Sequence, residues 1–110
     1  MLNLFPQTAK INKDHLTIGG CDAVELAAEF GTPLYVFDEA TLRGKCTEYR
    51  EAFEKRYPNS TISYAAKAFL NRPLAKLLAE EGMGLDVASG GELSIARAAR
   101  FPHGKGLLQR

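Results

Sequence analysis

Thr61-Ile62-Ser63-Tyr64-Ala65-Ala66-Lys67-Ala68 is the segment from which the architecture of this chain can be inferred. It is typical of a buried β-strand, and it carries one lysine near its end. A helical pattern follows at once, with Asn71 as a candidate N-cap and Pro73 in the first turn. A strand between helices is covered on both faces, so a lysine there is paired, exposed at the strand's end or kept for chemistry.

A second predicted strand, residues 84–89, ends on Gly90-Gly91-Glu92, where the next helix begins. Two successive strands therefore end in polar residues immediately before a helix. In α/β barrels, active sites are assembled at the carboxyl ends of the strands and in the loops that follow them. The pattern predicts a site at this edge of a sheet.

Lys67 is the leading candidate for catalysis. An ammonium group drawn into a covered site loses hydration and its pKa falls, so the free amine becomes a nucleophile able to form a Schiff base with an aldehyde. The alternative is a lysine at a strand end that simply extends into water, which is the commoner situation.

The upstream segments supply the rest of the predicted architecture. The first dozen residues lack periodicity and are expected to form an irregular lead-in, and residues 15–18 alternate like a short strand. Asp22 is placed to cap a helix that Gly31 ends. Residues 33–37 are rich in β-formers and are predicted to be a strand.

A longer helix is predicted from residue 39 to about residue 57, with Asp38 as its cap and Pro58-Asn59 as its end. Its expected apolar face consists of Leu42, Cys46, Tyr49 and Phe53. The alternation of strands and helices favours a parallel sheet.

Strand periodicity assigns faces around the lysine. It places Ser63, Ala65 and Lys67 on one face, with small side chains that would admit a planar ring. Tyr64 faces the other way and is expected to pack there with its hydroxyl hydrogen-bonded.

Composition excludes several classes of function. Fourteen basic and thirteen acidic residues give a formal charge of +1, which does not suggest a nucleic-acid or polybasic membrane surface. No apolar run has the length of a transmembrane helix, and the N-terminus lacks a signal-peptide pattern. Cys21 and Cys46 have no metal-ligand spacing, and reduced thiols in a cytoplasmic protein are expected.

Two blocks at a characteristic spacing resemble a known family: Tyr64-Ala65-Ala66-Lys67-Ala68 and Gly84-Leu85-Asp86-Val87-Ala88-Ser89-Gly90-Gly91-Glu92-Leu93. They are similar to the start of the barrel in pyridoxal-phosphate-dependent decarboxylases of the alanine-racemase-like fold type. Within that group, the residues of these two blocks are most similar to the diaminopimelate decarboxylase branch. The same holds for the upstream segment Gly31-Thr32-Pro33-Leu34-Tyr35-Val36-Phe37-Asp38. The resemblance covers about residues 13–99.

The resemblance implies a carboxy-lyase of lysine biosynthesis that converts meso-diaminopimelate to L-lysine. It implies that Lys67 is catalytic and binds pyridoxal 5'-phosphate, and that Asp86, Ser89 and Glu92 are cofactor-binding. Asp86 has an equally plausible role in an ordinary salt bridge or cap. An acidic residue such as Glu92 is expected in a helix's first turn from the dipole alone, and no metal site is expected.

The implied fold is α/β. A complete (β/α)8 barrel of TIM type needs roughly 250 residues, whereas this chain has 110. The resemblance therefore implies an incomplete barrel of three β/α units over residues 32–110. Residues 1–31 would be a lead-in with a helix and a short strand belonging to a missing β domain, so that this strand would lack its partners.

The family's phosphate-binding loop, the partner of the pyridine nitrogen and the substrate-carboxylate contacts are expected beyond residue 110, as is the homodimer interface that completes the site. Gly104-Lys105-Gly106 is too short for the phosphate loop, and residues 100–110 depart from the family pattern. The resemblance thus implies a truncated piece that is inactive by itself.

Two alternatives stay open. One is an ornithine or arginine decarboxylase, or an amino-acid racemase, of the same fold type. The other is a non-catalytic, decarboxylase-like module that uses an exposed sheet edge to bind a partner. The intact Lys67 argues against the second alternative.

Overall fold

The computed structural model describes residues 2–104 and 107–109. The chain divides into two compact units, residues 1–45 and 46–110. In chain order the strands are β1 (Lys10–Asn12), β2 (His15–Ile18), β3 (Cys21–Asp22), β4 (Ser63–Ala65), β5 (Gly84–Val87) and β6 (Leu107–Gln109), and the helices are α1 (Ala23–Phe30), α2 (Glu39–Glu54), α3 (Arg72–Glu80) and α4 (Gly90–Ala98). Short 3-10 turns occupy Leu2–Leu4 and Ala66–Ala68. The boundary between the units falls within α2.

The C-terminal unit contains a parallel three-stranded sheet in the order β4-β5-β6. The helix α3 connects β4 to β5, and α4 lies between β5 and β6. Parallel strands require such crossovers, so the predicted alternation of strands and helices is confirmed here. Leu107–Gln109 form a further strand, β6, although the departure of residues 100–110 from the family pattern gave no reason to expect one.

The hydrophobic core of this unit lies on one face of the sheet. Leu85 and Val87 of β5 are completely buried, each with 0% exposure. They share the core with residues of the two helices and the loop after α4: Leu74, Ala75, Leu77, Leu78, Ala96 and Phe101. Burying apolar side chains of this size stabilises a fold by roughly 1.5–3 kcal/mol each, so β5 is the centre of the unit.

The helix α3 begins as its sequence predicts. The Asn71 side chain accepts a hydrogen bond from the backbone N–H of Leu74 at 2.9 Å, and Pro73 lies in the first turn. At the other end, Arg50 donates to the backbone carbonyl of Glu81 and also lies 3.8 Å from its carboxylate. This arginine attaches the C-terminal half of α2 to the end of α3.

The N-terminal unit contains an antiparallel sheet in the order β1-β2-β3. The predicted strand over residues 15–18 is confirmed as β2, but the expectation that it lacks partners is wrong. Two hairpins supply the partners locally. Their connections are Lys13-Asp14 and Gly19-Gly20, and all four residues have positive φ, as two-residue hairpin turns of type I′ require. The lead-in is also more regular than predicted, because β1 lies within it.

The helix α1 has both predicted ends. Asp22 caps it by accepting from the N–H groups of Val24 at 2.8 Å and Glu25 at 3.3 Å, and Gly31 follows the last turn with φ of 85°. The other carboxylate oxygen of Asp22 lies 2.6 Å from Nδ1 of His15 on β2. This hydrogen bond lowers the pKa of Asp22, and the two backbone bonds act in the same direction.

The predicted strand over residues 33–37 is wrong for this structure. In the part of the chain that the structure describes, this segment has no ladder partner, and Tyr35 and Phe37 are 88% and 51% exposed. A high content of β-formers favours a strand only where a neighbouring strand supplies hydrogen bonds and a packing surface. Without such a neighbour the segment stays irregular.

The helix α2 starts where predicted and ends earlier. Asp38 is buried and caps it by accepting from the backbone N–H of Thr41 at 3.2 Å and from the hydroxyl of the same residue. The Thr41 hydroxyl is the main reason why the pKa of Asp38 is lowered. The helix ends at Glu54, and of the four residues of its predicted apolar face only Cys46 is buried.

Across the described residues, no helix combines the length and apolar character that a membrane crossing needs.

Replacing Leu85 with alanine tests the core. Deleting a completely buried leucine side chain is expected to lower the free energy of unfolding by about 2–5 kcal/mol, measured by urea denaturation. Leu4→Ala is the matched control, since Leu4 is 88% exposed and its loss is expected to change stability by about 0.5 kcal/mol or less. Equal losses in the two variants would contradict the placement of the core.

The Asp22 cap predicts a pH-dependent end of α1. Because its pKa lies below the ordinary value of 3.8, the stabilisation is fully present above that pH and is lost as the pH falls through the lowered pKa. The amide resonances of Val24 and Glu25 are expected to titrate below pH 3.8. Asp22→Asn keeps an N-cap acceptor and should abolish this titration, and His15→Ala should move it upward. A midpoint above 3.8 in the unmodified chain would contradict the assignment.

Candidate active site

Lys67 lies just beyond the end of β4, in the middle of the 3-10 turn Ala66–Ala68. The predicted strand over residues 61–68 is therefore too long, because the ladder covers only Ser63–Ala65. The predicted alternation that grouped Lys67 with Ser63 and Ala65 does not apply past the strand's end. The sequence left three possibilities for this lysine: paired, exposed at the strand's end, or kept for chemistry. In the structure its side chain is exposed.

Asp86 lies on the neighbouring strand, beside the residue that ends β4. Ala65 and Asp86 are register partners in the parallel ladder, so their side chains share one face of the sheet. The buried Leu85 and Val87 define the opposite face. Asp86 is half-buried, and it occupies the face from which the core is absent. The fold thus brings Asp86 beside the strand end from which the Lys67 turn begins.

Ser89 and Glu92 form a capping box at the start of α4. The Ser89 hydroxyl oxygen accepts from the backbone N–H of Glu92 at 3.1 Å and donates to the Glu92 carboxylate at 3.2 Å. The same carboxylate accepts from the backbone N–H of Ala88 at 2.9 Å. These bonds satisfy N–H groups that a helix start leaves without partners, and they give both residues a structural role.

Within the described residues, steric crowding does not explain why glycines occupy the two positions after Ser89. A Cβ added to Gly90 would meet nothing within 4 Å, and one added to Gly91 would be 3.8 Å from the Ser89 hydroxyl oxygen. Neither has positive φ. Glycine costs a helix roughly 1 kcal/mol relative to alanine, so this pair leaves an open backbone surface at some expense in helix stability.

Tyr64 packs as the sequence predicts, and its hydroxyl has a partner. It belongs to β4, is half-buried, and donates to the backbone carbonyl of Phe69 at 2.7 Å. Burial raises the pKa of this phenol, so it stays a protonated donor at neutral pH. Sequence reasoning expected a partner without identifying it, because the bond depends on the turn after β4.

Of the residues near the C-terminus, Leu108 of β6 is the register partner of Asp86. His103 lies in an exposed turn, as a loop residue would. Of the segment Gly104-Lys105-Gly106, the last two residues lie outside the described part of the chain.

Comparison with known proteins identifies the family. Residues 40–105 match the family profile described as pyridoxal-dependent decarboxylase, pyridoxal binding domain, and this match spans more than half of the 110 residues. The chain belongs to the pyridoxal-dependent decarboxylase family. Its α/β architecture agrees with the N-terminal region of that fold.

Two relatives and one solved structure described next are all named diaminopimelate decarboxylase. The chain is 46% identical over 99 residues to diaminopimelate decarboxylase of Bacillus methanolicus, covering 89% of this chain and 23% of the relative. The Synechocystis enzyme of the same name is 48% identical over 93 residues, with 83% and 20% covered. The crystal structure of M. jannaschii diaminopimelate decarboxylase superposes with a TM-score of 0.81 at 42% identity, over 93% of this chain and 24% of that one.

The chain therefore spans about a quarter or less of the length of the relatives it matches. A second M. jannaschii structure, a complex with L-lysine, has a TM-score of 0.76 at 38% identity, with 94% of this chain and 26% of that one covered.

The capping box predicts a measurable share of stability. Ser89→Ala is expected to lower the free energy of unfolding by about 1 kcal/mol, because it removes the N-cap acceptor of α4. Ser94→Ala, an exposed position inside the same helix, is the control and should leave stability unchanged or slightly raised. Urea denaturation of both variants provides the comparison, and a smaller loss for Ser89→Ala than for Ser94→Ala would contradict the capping role.

Proposed function

We propose that this chain is the N-terminal segment of a diaminopimelate decarboxylase, a carboxy-lyase that converts meso-diaminopimelate to L-lysine. The observation that carries the proposal is the position of Lys67 at the carboxyl end of β4, with Asp86 on the adjacent strand. Parallel β/α folds assemble their active sites at this edge. The identity of 46% and 48% with relatives of that name supports the choice of substrate.

The residues at this edge fit pyridoxal phosphate. Lys67 supplies an exposed primary amine, which an aldehyde requires. The exposed Ala65 beside Asp86 leaves room for a planar ring, and the glycines after Ser89 expose backbone to a ligand. When bound, pyridoxal phosphate supplies an aldehyde that reacts with amines and an electron-withdrawing ring that favours loss of carbon dioxide.

The protein residues have distinct roles in this proposal. Lys67 would hold the cofactor through its Nζ amine. Asp86 provides a carboxylate on the same face of the sheet, which favours a proton on a nearby nitrogen. Ser89 and Glu92 contribute to the cofactor site by fixing the loop between β5 and α4 through their capping box.

The wider architecture is part of the same proposal. Residues 32–110 would contribute the first three β/α units of a (β/α)8 barrel, and residues 1–31 the lead-in to it. Residues outside this chain would bind the phosphate group and the substrate carboxylate, so the 110-residue chain is proposed to be inactive alone. A homodimer in the cytoplasm is proposed for the full-length enzyme, and the location agrees with the absence of a disulfide at Cys21 and Cys46 within the described residues.

The reactive lysine is directly testable. Incubation of the full-length protein encoded by the gene with pyridoxal 5'-phosphate, followed by reduction with borohydride, should place the label on Lys67 in preference to Lys76, an exposed lysine of α3. Lys67→Arg should abolish the preferred label, because a guanidinium forms no stable imine, whereas Lys76→Arg should leave it unchanged. Peptide mapping by mass spectrometry measures the ratio of label on Lys67 to label on Lys76. Preferential labelling of any other lysine would remove the proposed mechanism.

The substrate needs a separate assay. Full-length protein encoded by the gene should release carbon dioxide from meso-diaminopimelate and yield L-lysine, with ornithine and arginine as comparison substrates. Faster turnover of either comparison substrate would favour the ornithine or arginine decarboxylase alternative. Complete inactivity of cofactor-loaded protein on all three, with Lys67 intact, would favour a non-catalytic module.

A further inference from the structure

The turn Ala66–Ala68 carries Lys67. The N-cap position, Ala65, makes no side-chain hydrogen bond to the turn. Ala66 anchors one side of it, being only 3% exposed, whereas Ala68 is exposed. Short 3-10 turns have poorer hydrogen-bond geometry than α-helices. An additional restraint is therefore needed if the lysine is to leave the sheet in one direction.

The Tyr64 hydroxyl provides that restraint. Tyr64 precedes the turn and is held in the ladder opposite Leu85, while Phe69 follows the turn in an extended conformation with φ of −178°. The 2.7 Å bond from the hydroxyl to the Phe69 carbonyl joins the two ends across Ala66–Ala68. Tyr64 is half-buried, whereas the bond itself lies at the exposed surface of the unit.

We propose that Tyr64 is a positioning residue for Lys67, acting through the hydroxyl bond that closes the turn between them. This inference rests on the proposed function, in which the Lys67 amine is the reactive group. A lysine side chain has four rotatable bonds, so a fixed backbone origin narrows the volume that its amine explores. Restricting a nucleophile in this way raises the fraction of productive encounters.

Tyr64→Phe in the full-length protein encoded by the gene removes only the hydroxyl. Two measurements apply: the ratio of borohydride-fixed pyridoxal label on Lys67 to that on Lys76, and amide hydrogen exchange of residues 66–69. Loss of one hydrogen bond is expected to lower the labelling ratio and to accelerate exchange by about three- to tenfold each. Tyr57→Phe is the matched control, because Tyr57 lies in the same unit and is 66% exposed. It should change neither quantity.

The outcomes separate the two proposals. A preference for Lys67 in the unmodified chain that persists in Tyr64→Phe overturns the positioning role and leaves the proposed function standing. Faster exchange without a change in the ratio also overturns it, since Tyr64 would then be merely structural. Absence of the preference in the unmodified chain overturns both proposals.

Unfolding of the variant can be distinguished from loss of the hydrogen bond between Tyr64 and Phe69. The backbone N–H of Ala88 donates to the Glu92 carboxylate at the start of α4. Its hydrogen exchange should stay unchanged in Tyr64→Phe. Incorporating 4-aminophenylalanine at position 64 restores an N–H donor and should recover the Lys67 preference. Failure of that rescue in a chain with normal Ala88 protection would overturn the inference.

Discussion

The register of β5 is the constraint on which the rest of the C-terminal unit depends. Side chains alternate along a strand, so burial of Leu85 and Val87 forces Asp86 onto the opposite face. A slip of one residue would place the carboxylate in the core and a leucine at the candidate site. Packing of α3 and α4 against β5 is strongly favourable and therefore sets where the acidic group of the site lies. The burial that stabilises the core thus also fixes the face on which Asp86 lies.

Elements with strong local chemistry could be predicted from the sequence. Asn71, Asp22 and Gly31 each satisfy or end a helix through their own side chain or backbone, so their effect needs no distant partner. The segment over residues 33–37 could not be predicted in the same way, because strand formation depends on a neighbour that propensity does not reveal. Similarly, the alternation that placed Lys67 on a strand gave no sign that the ladder stops two residues earlier.

The candidate site combines residues of two kinds. Lys67 was a candidate from the sequence because a charge near the end of a buried strand is unusual, whereas Asp86 was a candidate through the family resemblance. Ser89 and Glu92 were recognisable as well, but their hydrogen bonds to each other account for them without a ligand. The contact that could not be predicted is the one between Tyr64 and Phe69, since it exists only because the chain turns immediately after β4.

The two hairpins of the N-terminal unit have a consequence for biosynthesis. Every strand of that sheet pairs with its immediate neighbour in sequence, so closing it costs little loop entropy. Contacts of this kind form rapidly, and ribosomes deliver the N-terminus first. The β1-β2-β3 sheet can thus assemble on the nascent chain before β4 has been translated, ahead of the slower search by which the parallel strands find one another.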